Sequence, residues 1–127
     1  MIVYSESDKR IIVRGEINGL PAYMLVDTGA VAGILSKDIV REYALEVNKS
    51  KKFRMEGAGG NFDACLCETP LVLGGRPIYQ FLVADISNLV DSIRKETGVE
   101  IAGIISLPQM RGLNIRINTH ANYITID

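Results

Sequence analysis

The sequence predicts a mainly β domain with two short helices, whose strands form a closed or rolled-up barrel. Short apolar segments alternate with glycine-containing turns along most of the 127 residues. A closed sheet suits so many short strands because closure leaves no unpaired edge. A chain of this length corresponds to one domain, so we predict a single domain over residues 1–127 with a polar N-terminal segment at residues 1–10.

Composition and charge disfavour several classes of protein. Apolar residues make up 47% and charged residues 23%, as in a folded globular chain. Fourteen basic and fifteen acidic residues give a net charge of −1, so nucleic acid is not expected as the main partner. The longest apolar runs fall far short of the roughly 18 residues that a membrane span needs, and no secretory signal opens the sequence. We expect a cytoplasmic protein, or a periplasmic or secreted one if a leader or a larger precursor was removed.

The two cysteines and the histidine do not suggest a metal site. Cys65 and Cys67 would share one face of a strand with Cα atoms about 7 Å apart, at the far limit for a disulfide, so we expect reduced thiols. His120 cannot complete a zinc site with these two distant thiols. We therefore predict no metal site.

Three hairpins are predicted, each with glycine at its turn. The first turn is Asn18-Gly19, a pair that favours the positive φ angles of a tight hairpin. The predicted strand pairs are residues 11–17 with 20–26, residues 53–56 with 61–68 around the glycine-rich residues 57–60, and residues 71–73 with 78–84 around Gly74-Gly75.

Two helices are predicted from their first residues and from apolar spacing. Ser36 precedes residues 37–43, whose apolar positions fit a short amphipathic helix. Ser87 precedes a second and longer helix at residues 88–97, which Gly98 ends.

Three more strands are predicted in the last third of the chain. Residues 101–105 are apolar without interruption, which is typical of a buried strand. Leu113, Ile115 and Ile117 alternate with polar residues, as in a half-exposed strand. Residues 123–126 form the last strand.

The segment Asp27-Thr28-Gly29-Ala30 carries the clearest chemical signal. An apolar strand ends at Asp27, and the chain becomes apolar again at Val31. An acid between two apolar runs is expected at a buried or half-buried turn, where an unpaired charge is costly. Aspartate and glycine are also common turn residues, so by itself the segment fits a structural turn as well as a catalytic loop.

Four features together resemble the retropepsins, the single-domain aspartic proteases, and in particular their bacterial type. The resemblance covers most of residues 11–127. The features are the Asp27-Thr28-Gly29-Ala30 signature after an apolar strand, the glycine-rich hairpin at residues 57–60 where that family has its flap, the hairpin at residues 71–75 that follows the flap in bacterial relatives, and the apolar segment at residues 101–105. One position departs from the pattern: Ser106 stands where the family normally has glycine.

The resemblance implies an aspartic endopeptidase with a closed retropepsin-like β-barrel. Its chemistry needs two carboxylates facing one water, and the chain has a single Asp-Thr-Gly. A two-fold homodimer with Asp27 near its axis would supply the second. The implied partners are therefore a second copy of the chain and a peptide or protein substrate. The implied reaction needs no metal and no organic cofactor.

The resemblance also implies three groups of site residues. The groups are the catalytic Asp27 with the supporting loop residues Thr28, Gly29 and Ala30, the flap and substrate-binding residues Met55, Gly57, Ala58, Gly59, Gly60 and Asn61, and the late strand residues Gly103, Ile104, Ile105 and Ser106.

The residue at position 30 bears on the pH optimum. Alanine there cannot donate a hydrogen bond to the carboxylate as a serine could, so we expect a mildly acidic pH optimum.

Two alternatives remain open from the sequence. The glycine-rich hairpin also fits a plain structural turn, whereas a phosphate-binding loop would need the lysine and hydroxyl residue that are missing after it. The domain also fits a dimeric peptide-binding module of the same fold with weak or no catalysis.

Overall fold

Twelve strands and three helices form the part of the chain that the structure describes. The computed structural model describes residues 1–57 and 60–127, and at residues 51, 55–57 and 60–62 it describes the backbone alone. The strands are β1 (Ile2–Tyr4), β2 (Ile12–Ile17), β3 (Leu20–Asp27), β4 (Gly33–Ser36), β5 (Val47–Gly57), β6 (Gly60–Cys67), β7 (Leu71–Leu73), β8 (Arg76–Ile78), β9 (Phe81–Ala84), β10 (Gly103–Ser106), β11 (Arg116–Asn118) and β12 (Tyr123–Thr125), and the helices are α1 (Lys37–Glu42), α2 (Ser87–Thr97) and α3 (Leu107–Gly112).

The prediction of a mainly β fold is confirmed. Nine strands form one sheet in the order β5-β6-β9-β4-β10-β3-β2-β7-β8, and β1, β12 and β11 form a second, three-stranded sheet. The large sheet curls as a half-barrel, and among the described residues no ladder joins its edge strands β5 and β8. The barrel is therefore rolled up rather than fully closed.

The centre of the large sheet positions the end of β3. Strand β10 runs parallel to β3 on one side and antiparallel to β4 on the other. Met24, Leu35 and Ile105 from these three strands are fully buried in the main core. The other face of the same strands packs under α2, whose Ile93 is buried in a second apolar cluster.

The first hairpin is as predicted, whereas the third is different. Asn18 and Gly19 both have positive φ and join β2 to β3. Residues 78–84 do not form one strand, because Gln80 adopts a φ of 68° and redirects the chain. As a result β8 pairs with β7, while β9 runs parallel to β4 and antiparallel to β6.

Helix α1 is as predicted, and its first turn is capped by the Ser36 hydroxyl, which accepts a hydrogen bond from the Asp38 N–H at 3.2 Å. Helix α2 ends at Gly98 as predicted but begins one residue early. Ser87 is its first residue rather than its cap, and its N–H donates to the Asp85 carboxylate at 3.0 Å.

Helix α3 is absent from the sequence-based prediction. The predicted strand around Leu113 and Ile115 is wrong, because Leu113 ends α3 and the Ile115 N–H donates to the Met110 carbonyl of that helix. Only Arg116–Asn118 forms a strand, β11, which pairs with β12. In the described parts of the chain, no helix has the length and apolar character required to cross a membrane.

Candidate active site

Asp27 is the last residue of β3 and lies beside Ser106, the last residue of β10. The register of these parallel strands pairs Val26 with Ile105 and Asp27 with Ser106. Because parallel strands end at the same edge of a sheet, both residues lie where the chain leaves the sheet. The Asp27 side chain is half-buried at this edge, and Ser106 is buried.

The loop after Asp27 folds back onto its carboxylate. The Gly29 N–H donates to Asp27 Oδ1 at 2.9 Å, and the Ala30 N–H donates to the Asp27 carbonyl at 3.1 Å. A Cβ added at Gly29 would lie 3.2 Å from Oδ1, which is tighter than ordinary contact, so glycine allows this close approach. Within the described ranges the Gly29 N–H is the only hydrogen-bond donor to the carboxylate, which leaves Oδ2 without one.

Thr28 and Val31 are exposed on either side of this turn. Val31 is 84% exposed, an unusual state for a large apolar side chain. The Thr28 side chain forms no hydrogen bond with any residue that the structure describes. The loop thus presents a carboxylate, a hydroxyl and an apolar side chain at one edge of the single chain.

Ser106 begins α3 in addition to pairing with Asp27. Its Oγ accepts a hydrogen bond from the Gln109 N–H at 3.4 Å, and Gln109 Oε1 accepts one from the Ser106 N–H at 2.9 Å, which is a capping box. The next residue, Leu107, donates its N–H to the Ala30 carbonyl at 3.2 Å. The β3–β10 register is thus intact with serine at position 106, and the Leu107 N–H connects the first turn of α3 to the loop of Asp27.

Gln109 is a site residue that the sequence analysis missed. Its Nε2 donates to the Tyr79 carbonyl at 2.9 Å, and its amide fills the space in which a Cβ at Gly33 would lie, 2.2 Å from Oε1. Gln109 thus contacts β4, β10 and the segment before β9. The spacing Ser106-Leu-Pro-Gln109 is a readable capping signal, but nothing in it indicates the contact with Gly33.

The remaining residues of the late strand are buried together at the sheet centre. Gly103, Ile104 and Ile105 belong to β10, as predicted. A Cβ at Gly103 would lie only 2.0 Å from the Ile34 carbonyl oxygen, so the strand can approach β4 only with glycine here.

The predicted flap corresponds to the hairpin of β5 and β6. The backbone register pairs Met55 with Phe62, Glu56 with Asn61, and Gly57 with Gly60. Ala58 and Gly59 lie outside the described residues, as do the side chains of Met55 and Asn61. The role of this hairpin as a flap stays a prediction.

The cysteines are free thiols on β6, as predicted. His120 is exposed in the turn between β11 and β12. Over residues 1–57 and 60–127, no three His, Cys, Asp or Glu side chains are grouped so that they could hold a metal ion.

The sequence matches the family described as gag-polyprotein putative aspartyl protease over residues 13–76, half of the chain. The chain belongs to this aspartyl protease family. The matched residues include the loop of Asp27 and the hairpin of β5 and β6, whereas β10 and Ser106 lie beyond them. A search of curated proteins finds no match.

Two solved structures share the fold of this aspartyl protease family member. The retroviral protease-like domain of Ddi1 from Leishmania major matches with a TM-score of 0.66 and 24% identity, over 93% of this chain and 90% of that one. The EIAV protease in complex with the inhibitor HBY-793 matches with a TM-score of 0.63 and 22% identity, over 91% of this chain and 99% of that one. The predicted retropepsin-like fold is confirmed.

Proposed function

We propose that the protein is an aspartic endopeptidase that acts as a homodimer, with one Asp27 from each copy. The supporting observation is the half-buried Asp27 carboxylate at the end of β3, with Oδ1 accepting a hydrogen bond from the Gly29 N–H and Oδ2 without a donor among the described residues. Membership of an aspartyl protease family whose matched residues include this loop supports the same reaction.

In the proposed reaction the two carboxylates share one water. Like charges about 3 Å apart do not both ionise, so one Asp27 is ionised and the other protonated. The ionised one takes a proton from the water as its oxygen attacks the peptide carbonyl carbon, and the protonated one donates to the carbonyl oxygen. The C–N bond then breaks as the nitrogen takes up a proton. The route uses no metal and no organic cofactor.

The exposed residues beside Asp27 support the proposed dimer. Val31 would lose its contact with water if a second copy covered this edge, and burial of apolar surface favours association. Thr28 would donate across the two-fold axis to the partner loop. An isologous interface of this kind places the two Asp27 side chains face to face.

The proposed flap is the hairpin of β5 and β6, and the glycine-rich residues 57–60 would form its tip. In this proposal it opens to admit a peptide and closes over it, which excludes water from the two carboxylates. Met55 and Asn61 would flank the bound peptide. The apolar residues Val31 and Ala32 beside the loop favour apolar substrate side chains.

Cleavage of a mixed peptide library at several pH values tests the proposal, with Asp27→Asn beside the parent chain and the mass of both in solution measured. We expect the parent to cut peptides at mildly acidic pH as a dimer. The Asn variant should remain dimeric and lose cleavage. Cleavage that survives Asp27→Asn, or cleavage by a strict monomer, contradicts the proposal. Peptides that bind the parent but are never cut identify instead a peptide-binding module of this fold.

A further inference from the structure

A large cavity lies apart from Asp27, between α1, the base of the β5–β6 hairpin, and β9. Its volume is about 960 Å³. This falls within the roughly 300–1,000 Å³ that small-molecule sites occupy. No residue of the Asp27 loop lines it, so this cavity is separate from the candidate active site.

The floor of the cavity is apolar. Val40 and Leu45 line it from α1 and the segment after that helix, and both are nearly buried in the core. Cys65 on β6 and Val83 on β9 are direct register partners and line it from the sheet. An aliphatic group on this floor would remove apolar atoms of several elements from water, which is favourable.

The rim of the cavity is positively charged. Lys37, Arg41, Lys49 and Lys52 line it together with only two acids, Asp63 and Asp85. Arg41 is paired with Asp38 of its own helix at 2.8 Å. Arg54 forms an ion pair with Asp63 at 3.4 Å, so the negative charge of Asp63 is compensated by a residue outside the cavity lining.

The negative charge of Asp85 is compensated as well. Hydrogen bonds from Ser87, together with the charge of Lys37, hold the pKa of the Asp85 carboxyl below its ordinary value. Lys49 and Lys52 have no ion-pair partner among the residues that the structure describes. Two uncompensated ammonium groups therefore stand at the β5 side of the rim.

An irregularity in β5 brings these two lysines to the same cavity. Residues three apart in a regular strand point to opposite faces. Here Asn48 pairs with Leu66 but Lys52 pairs with Cys65, so the strand carries extra residues between them. Such bulges change the direction of side chains and are common beside functional sites. Both Lys49 and Lys52 line the cavity as a result.

We propose that this cavity binds an aliphatic carboxylate. Its hydrocarbon chain lies on the floor formed by Val40, Leu45 and Val83, and its carboxylate lies at Lys49 and Lys52. An apolar lining with a few placed charges is the usual composition of a small-molecule site. The surplus positive charge selects an anion over a cation or a neutral amphiphile.

The Cys65 thiol offers a direct readout of occupancy that does not depend on any protease activity. Cys65 is half-buried in the cavity wall, whereas Cys67 is fully buried in the core. Alkylation of each thiol by iodoacetamide is followed by mass spectrometry with increasing dodecanoate. Bound dodecanoate should slow alkylation of Cys65 by about tenfold at ten times its Kd, while Cys67 stays unmodified in the folded chain. Alkylation of Cys67 would reveal unfolding.

Two comparisons decide the result. Dodecyltrimethylammonium has the same chain with the opposite charge, and acetate has the head group without the chain, so neither should protect Cys65. Lys52→Glu should weaken dodecanoate binding about tenfold, whereas Lys95→Glu, the same change at an exposed position on α2, should leave it unchanged. Absence of protection by dodecanoate, equal protection by the cationic amphiphile, or equal binding by both lysine variants overturns the proposal.

Discussion

Ser106 and Asp27 are register partners at the ends of two parallel strands, and Ser106 is also the residue at which α3 begins. The start of the helix and the loop of the candidate catalytic acid are therefore connected through one pair of residues. The hydrogen bond from the Leu107 N–H to the Ala30 carbonyl is a second connection between them. Changes at the helix start should consequently affect both stability and the position of the loop.

Ser106→Ala should lower the free energy of unfolding by about 1 kcal/mol, because the Gln109 N–H loses the hydroxyl that caps the helix. Urea unfolding of the variant and the parent measures this difference. Ser92→Ala is the matched control, since Ser92 is exposed within α2 and alanine favours a helix there. An equal loss of stability in both variants would contradict a capping role for Ser106.

Gly33→Ala should lower the free energy of unfolding by about 2 kcal/mol. The new Cβ would displace the Gln109 amide and break its hydrogen bonds to the Ser106 N–H and the Tyr79 carbonyl, each of which contributes about 1 kcal/mol. In a chain that already carries Gln109→Ala, Gly33→Ala should lower the free energy of unfolding much less, because the amide that the Cβ displaces is absent. Urea unfolding of the four proteins of this double-mutant cycle measures the difference, and additive losses would refute an energetic coupling between Gly33 and Gln109.

Gly103→Ala should lower the free energy of unfolding by roughly 3 kcal/mol or more, which is a larger loss than for Gly33→Ala. The reason is that the new Cβ would meet the backbone oxygen of Ile34 rather than a side chain. Thermal or urea unfolding measures the loss. Gly112→Ala is the control, since nothing lies within 4 Å of a Cβ there. That control should be neutral or stabilising by up to about 1 kcal/mol, as expected at the end of a helix. A tolerated Gly103→Ala would show that β10 and β4 can separate.

The ion pair between Arg10 and Glu96 should make stability depend on pH. The two side chains form a bidentate contact, with Arg10 Nη2 and Glu96 Oε2 3.0 Å apart, and the hydrogen bond from Arg10 lowers the pKa of Glu96. A lowered carboxyl pKa stabilises the fold above the ordinary value of 4.5, and this contribution disappears as the pH falls through the lowered value. Both side chains are partly exposed, so the effect should be small and should shrink in high salt.

Free energies of unfolding between acidic and neutral pH, at low and high salt, measure this contribution. Glu96→Gln should remove this contribution, so the free energy of unfolding of the variant should depend slightly less on pH than that of the parent. Glu16→Gln is the control, because Glu16 is exposed on β2 and has no ion pair within the described part of the chain. An unchanged pH dependence in Glu96→Gln would show that the pair does not contribute.

Local signals in the sequence account for the elements that were predicted correctly. Asn18-Gly19 has a turn preference strong enough to define the first hairpin, and Ser36 and Gly98 mark helix ends through their own backbone and side-chain chemistry. The loop of Asp27 could also be identified, because its residue types and the apolar runs on either side of it lie within one short stretch of the sequence.

Errors arose where tertiary contacts or competing patterns decide the structure. Gln80 carries no signal for its positive φ, so the break between β8 and β9 could not be read from the sequence. Around Leu113 the alternation of apolar residues favoured a strand, although the capping box at Ser106 favoured α3. The contact between Gln109 and Gly33 joins distant parts of the chain, and no periodic pattern reports such a contact.

The contact between Gly33 and Gln109 also has an evolutionary consequence. A mutation at either position changes which residues the other can accept, because both share one small volume beside β10. Relatives that carry a side chain at the position of Gly33 are therefore expected to carry a shorter residue at the position of Gln109. Substitutions at these two sites should then accumulate as linked changes along a lineage rather than as independent ones.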